Sequence, residues 1–94
     1  RIYIYYPSCL AAAGILLKQG KLDEALGELK RFDPLPPDGP TAPYKARALK
    51  MHGDIYAQQG KKDMALASYK DALKTGLDKN DKDRVNKTIE ELSK

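Results

Sequence analysis

Apolar positions along the chain fall into helical stripes separated by short breaks. Leu10, Ala13, Leu16 and Leu17 recur at helical spacing and predict a helix over 7–19. Pro7 suits its first position, where the missing N–H would be unpaired anyway. Leu22, Ala25, Leu26, Leu29 and Phe32 predict a second helix over 21–32, closed by Asp33-Pro34. Gly20 lies between them as a residue that takes the left-handed conformation without strain. The plan then returns. Pro43, with Thr41 or Ala42 just ahead, opens a helix over 43–59, and Gly60 turns the chain. A helix over 61–74 follows, carrying Met64, Ala65, Tyr69, Ala72 and Leu73 and ending at Gly76. Val85, Ile89 and Leu92 form a narrow stripe on a charged helix of about 81–93, capped by Asn80 or Asp81.

The return is a duplication. QGKLDEALGELK around Gly20 aligns with QGKKDMALASYK around Gly60 at an offset of forty residues. Ile15, Gln19, Gly20, Lys21, Asp23, Ala25, Leu26 and Lys30 recur as Ile55, Gln59, Gly60, Lys61, Asp63, Ala65, Leu66 and Lys70. Connections this short force the two helices of each unit to run antiparallel and pack together. The expected fold is all-α: two antiparallel helical hairpins in an α–α superhelix, plus a C-terminal capping helix. One domain over 1–94 would divide into a first hairpin at 7–33, a Pro-rich connection at 34–42, a second hairpin at 43–75 and the cap at 78–93. The stretch DPLPPDGPTAP holds five of the six prolines and reads as an extended, fairly stiff surface connection, a spacer in preference to a proline-rich docking ligand.

These residues resemble the tetratricopeptide repeat, a helical hairpin of about 34 residues. In the second unit Leu49 stands at the usual Trp position and Gly53 at the small residue where the helices cross. Tyr56 follows three residues on, Gly60 marks the turn, and Ala65 and Tyr69 match the Ala and aromatic of the second helix. His52 replaces the usual Leu and Leu77 the usual Pro. The first unit is more degenerate, with Cys9, Ala13, Leu16, Gly20, Ala25, Leu29, Phe32 and Pro37. The resemblance spans 7–77 and implies a non-catalytic module that docks a peptide or partner helix on a concave face lined by the first helix of each unit. The family's groove positions fall on Leu10, Gly14, Leu17 and Lys18, then on Arg47, Lys50, Asp54, Ala57 and Gln58. Arg47 and Lys50 are a turn apart and suit an acidic segment, although Lys50 and Asp54 at i, i+4 are set to pair with each other. Asp54 stands where the family's carboxylate clamp has Asn, so capture of a terminal carboxylate is not implied.

A narrower resemblance rests on LKMHGDIYAQQGKKDMALASYKDAL after the Pro-rich connection. It is similar to the C-terminal repeat domain of bacterial membrane-anchored ancillary subunits of the Sec translocon. That resemblance implies an anchor upstream and a place on the periplasmic side of the inner membrane; without it the expectation is cytoplasmic. The chain begins at Arg1 rather than Met, which suggests processing or trimming.

Composition adds mainly exclusions. With 94 residues, 41% hydrophobic and 32% charged, there is room for one small ordered domain. The longest apolar run is Leu10 to Leu17, short of the roughly 18 residues of a membrane span, so no insertion by this segment is expected. The net charge of +4 names no partner. His52 and Cys9 are single representatives of their type and read as structural, with no metal spacing and no paired nucleophile. No cofactor, metal site or catalytic residue is expected. Tyr3, Tyr5, Tyr6, Tyr56 and Tyr69 invite a nucleic-acid or polyanion reading, but basic residues are scattered with an acid within about a turn, so protein is the preferred partner. Ile2-Tyr3-Ile4-Tyr5-Tyr6, with Leu10, Ala11 and Ile15, has no obvious partner inside the domain. It is therefore expected to mediate a homodimer contact through Tyr3, Tyr5 and Ile15.

Overall fold

The computed structural model describes residues 2–94, with side chains placed from Tyr5 onward. Helices α1 (Ile2–Lys18), α2 (Leu22–Leu29), α3 (Ala42–Gln58), α4 (Lys62–Thr75) and α5 (Lys79–Leu92) follow one another, with a 3₁₀ turn at Lys30–Phe32 extending α2. There is no strand among the described residues. The fold is all-α, with α1 against α2 and α3 against α4, α3 also leaning on both helices of the first hairpin, and α5 on α4.

The two turns are copies of each other at the level of single hydrogen bonds. Gly20 N–H donates to Leu17 O at 3.1 Å and Lys21 N–H to Leu16 O at 2.9 Å; Gly60 to Ala57 O and Lys61 to Tyr56 O do the same at 3.1 and 2.8 Å. This is a Schellman motif, which satisfies two carbonyls that the helix end leaves open. It needs a left-handed residue, and Gly20 and Gly60 have φ of +76° and +77°. Each lysine then accepts the first hydrogen bond of the next helix, from Ala25 N–H and Ala65 N–H. One residue therefore ends one helix and begins the other, which is why the hairpins are tight.

Three expectations need correction. Helix α1 begins five residues ahead of 7, and Pro7 lies inside it rather than at its start. A proline there removes one backbone hydrogen bond and crowds the preceding turn. Aromatic packing offsets part of that cost. The Tyr6 ring centroid lies 5.4 Å from that of Phe32 and 5.6 Å from that of Tyr44, contacts worth on the order of 0.5–1.5 kcal/mol each beyond burial. Tyr6 thus has partners inside the domain, and so does Tyr5, whose hydroxyl accepts a 2.7 Å hydrogen bond from Arg31. With this start, α1 at 2–18 and α3 at 42–58 match residue for residue at the forty-residue offset.

The second correction concerns the Pro-rich connection, which is a series of turns rather than an extended strap. Leu35 packs on the first core cluster and its N–H donates to Phe32 O. Lys45 Nζ donates to both Phe32 O and Asp33 O at 3.0 Å, a cation on the last carbonyls of the first hairpin. The third is at α5, which begins at Lys79 with Asp78 as its cap; Asp78 Oδ1 accepts from Asp81 N–H at 2.8 Å. Asp78 is preferred over Asn80 or Asp81 because Leu77, just ahead of it, is buried and fixes where the chain enters the helix.

The core has two parts joined by α3. Cys9, Leu10, Ala13, Ala25, Leu29 and Phe32 of the first hairpin close around Ala48 and Ile55 of α3. Ala46 on the other side of α3 joins Ala65, Tyr69, Ala72, Leu77 and Val85. Alternating faces of one helix thus serve both halves.

Candidate functional site

The groove positions expected on α1 and α3 do not all reach a surface. Leu10 is 1% exposed and belongs to the first core cluster, so it offers nothing to a ligand. Gly14 is partly covered: a Cβ there would stand 3.7 Å from Met51 Cε, which shows α1 and α3 touching at this level. Leu17 is half-buried against the first cluster and Ala57 against the second. Lys18, Arg47 and Gln58 are exposed, while Lys50 and Asp54 are half-buried.

Lys50 and Asp54 are engaged with each other and with the core. Lys50 Nζ donates to Asp54 Oδ2 at 3.1 Å, and the Tyr69 hydroxyl donates to Asp54 Oδ1 at 2.5 Å. Burial raises the Tyr69 phenol above its ordinary range, and the hydrogen bond and negative charge of Asp54 raise it further. Both oxygens of Asp54 are thus used by this chain, and the Lys50 charge is balanced by its own helix. Arg47 is in no ion pair among the described residues. The i, i+4 spacing made the Lys50–Asp54 pair legible; nothing in the sequence pointed to the Tyr69 hydroxyl as a third member.

Two further residues shape this face without having been singled out for it. Met51 covers Gly14 from α3, and the repeat offset would have found it as the counterpart of Ala11. Lys45 fixes the approach to α3 as described above; a lysine one turn into a helix carries no such signal by itself. His52 stacks on Tyr56 with ring centroids 6.0 Å apart. Burial pushes its imidazole below the ordinary range, with Asp33 opposing and Lys45 reinforcing that shift. Cys9 is buried. Among the described residues no group of three His, Cys, Asp or Glu side chains is placed to hold a metal ion. Among the described residues no helix is long and apolar enough to cross a membrane.

Of the residues expected to mediate self-contact, Tyr5 and Ile15 are 45% and 57% exposed. The side chain of Tyr3 lies outside the described residues. Among the described residues, two surface hollows lie elsewhere. One of about 400 Å³ sits between the Pro-rich connection and the second hairpin, lined by Leu35, Pro37, Lys45, Leu49, Asp71, Lys74 and Thr75. The other, about 270 Å³, lies between the second turn and the end of α5, with Ala57, Gly60, Lys62, Glu91, Leu92 and Lys94 around it. Ala57 is the one groove residue that either contains.

Duplicated hairpins with matching glycine turns, a small residue at each helix crossing and a following helix over the last apolar face define a helical-repeat domain. The family model of the tetratricopeptide repeat-like domain matches residues 9–94, and the chain belongs to that family. No curated protein and no solved structure gives a significant match.

Proposed function

We propose that this domain is a non-catalytic docking module whose partner, a peptide or helix of another protein, lies along the face shared by α1 and α3. Domains of this family are generally protein-interaction modules. The observation that carries the location is the arrangement around Asp54: the groove's central charges, Lys50 and Asp54, are neutralised internally. The partner is therefore read by shape and apolar contact over Gly14, Leu17, Met51 and Ala57, with Lys18, Arg47 and Gln58 at the rim. A partner read this way binds with shallow salt dependence, whereas a polyanion bound by scattered lysines gives a steep one. The narrower resemblance adds a setting, a membrane-associated assembly on the periplasmic side.

Affinity capture from a nuclease-treated extract, followed by mass spectrometry of bound protein, tests the reading. Capture of a defined protein set that Arg47→Glu with Lys18→Glu depletes supports it. Recovery of nucleic acid alone from an untreated extract contradicts it.

A further inference from the structure

Acidic residues are nearly absent from α1 and α3. Of the thirteen in the chain only Asp54 lies on either helix, whereas the short α2 carries Asp23, Glu24 and Glu28. Basic residues are not depleted in the same way, since Lys18, Lys45, Arg47 and Lys50 all lie on these two helices. Most of these charges are already engaged within the chain. Lys45 is held by the carbonyls of Phe32 and Asp33, and Lys50 pairs with Asp54. Asp54 receives a donor at each of its two oxygens. Lys18 and Arg47 remain, both exposed and in no ion pair among the described residues.

The two free cations stand at opposite ends of the groove. Lys18 and Gln58 hold the same repeat position, the last residue of α1 and of α3. Arg47 precedes Gln58 on α3 by about three turns, which is about 16 Å along the helix axis. Between the ends lie the internally neutralised Lys50–Asp54 pair and the uncharged Gly14, Met51 and Ala57. Lysine and arginine donate hydrogen bonds and accept none. A partner seated here therefore meets donor-only cations at both ends of an electrically quiet stretch. Carboxylates complement that pattern, and basic flanks are repelled by it.

We infer, resting on docking along α1 and α3, that the partner is an acidic segment of another protein: an apolar stretch with an Asp or Glu at each end. The two carboxylates stand about 16 Å apart, which is about eleven residues in a helical partner and about five in an extended one. One meets Arg47 and the other meets Lys18. Two exposed pairs of this kind contribute selectivity and faster encounter more than affinity, so the salt dependence of docking stays shallow.

Selection from a displayed library of random peptides, each about sixteen residues long and so able to span the groove as a helix, tests this with the 94-residue chain as bait. The expected yield is enriched in Asp and Glu at that spacing around apolar residues. A selected peptide should bind the double variant Lys18→Glu with Arg47→Glu at least about tenfold more weakly. The same variant used as bait should enrich Lys and Arg at those positions instead. Arg84→Glu with Lys87→Glu, an equal change of charge on exposed residues of α5, should leave affinity within about twofold. Circular dichroism should show both variants as helical as the parent. Peptides without acidic flanks that still map to α1 and α3 by NMR overturn the inference and leave the docking face standing. Acidic peptides that map elsewhere, or a selection that yields none, overturn both. Equal loss of binding in the two double variants reduces the effect to net charge and overturns the inference. Displacement of the peptides by an equimolar single-stranded oligonucleotide assigns the cations to a polyanion and overturns it as well.

Discussion

The Tyr69 ring lies against Gly53 so closely that a Cβ on Gly53 would come within 2.6 Å of two ring carbons. The same ring sends its hydroxyl to Asp54, the next residue along α3. One aromatic from α4 therefore reads two successive residues of α3, the first by requiring no side chain and the second by requiring an acceptor. The first hairpin solves the crossing differently: Ala13 and Leu29 hold the equivalent positions, both buried, and need no hydroxyl partner.

Gly53→Ala is expected to destabilise the domain by about 1–3 kcal/mol, the range for overpacking a close contact. It does so despite the gain in helix propensity of about 1 kcal/mol that alanine brings. Gly14→Ala is the control with opposite sign. Its Cβ would meet Met51 at ordinary contact distance, so a gain of about 0.5–1 kcal/mol is expected. Urea melts of the two variants beside the parent check both signs.

Tyr69→Phe is expected to lower stability by about 1–2 kcal/mol, because it removes a hydrogen bond to a charged acceptor. The variant also tests the alkaline limb. The folded phenol holds its proton more tightly than the unfolded one. Its contribution is thus complete below the ordinary phenol range near 10 and is lost as pH rises above it. Stability of the parent should fall more steeply than that of Tyr69→Phe above that point.

His52 works in the other direction. Its imidazole is held below the ordinary value of about 6.5, so the unfolded chain takes up a proton that the folded chain resists. Stability is full above that pH and falls as pH drops through it. His52→Phe keeps a ring against Tyr56 and should flatten the profile between about pH 7.5 and 5.5, which thermal melts across that interval resolve.

Much of this architecture was legible because its signals are local. Helix stripes, the glycines that must be left-handed and the forty-residue repeat are all written within a few residues of where they act. The start of α1 was not, because the aromatic cluster of Tyr6, Phe32 and Tyr44 that packs beside Pro7 joins three elements distant in sequence. The repeat contained the correction: α3 begins at Ala42, forty residues after Ile2. Leu10 was placed in the groove by alignment, whereas its burial depends on how α3 leans on the first hairpin. Lys45 closes the Pro-rich turns through backbone carbonyls, which have no residue identity for a sequence to reveal.

The most direct measurement is chemical-shift mapping by NMR, titrating the binding segment of a captured partner into the isotopically labelled domain. Docking along α1 and α3 predicts perturbations gathered on Gly14, Leu17, Lys18, Met51, Ala57 and Gln58, with the turn at Gly39 and the outer face of α5 unmoved. Shifts centred on α5 or on the hollow beside Leu35 and Pro37, with α1 and α3 silent, would contradict it.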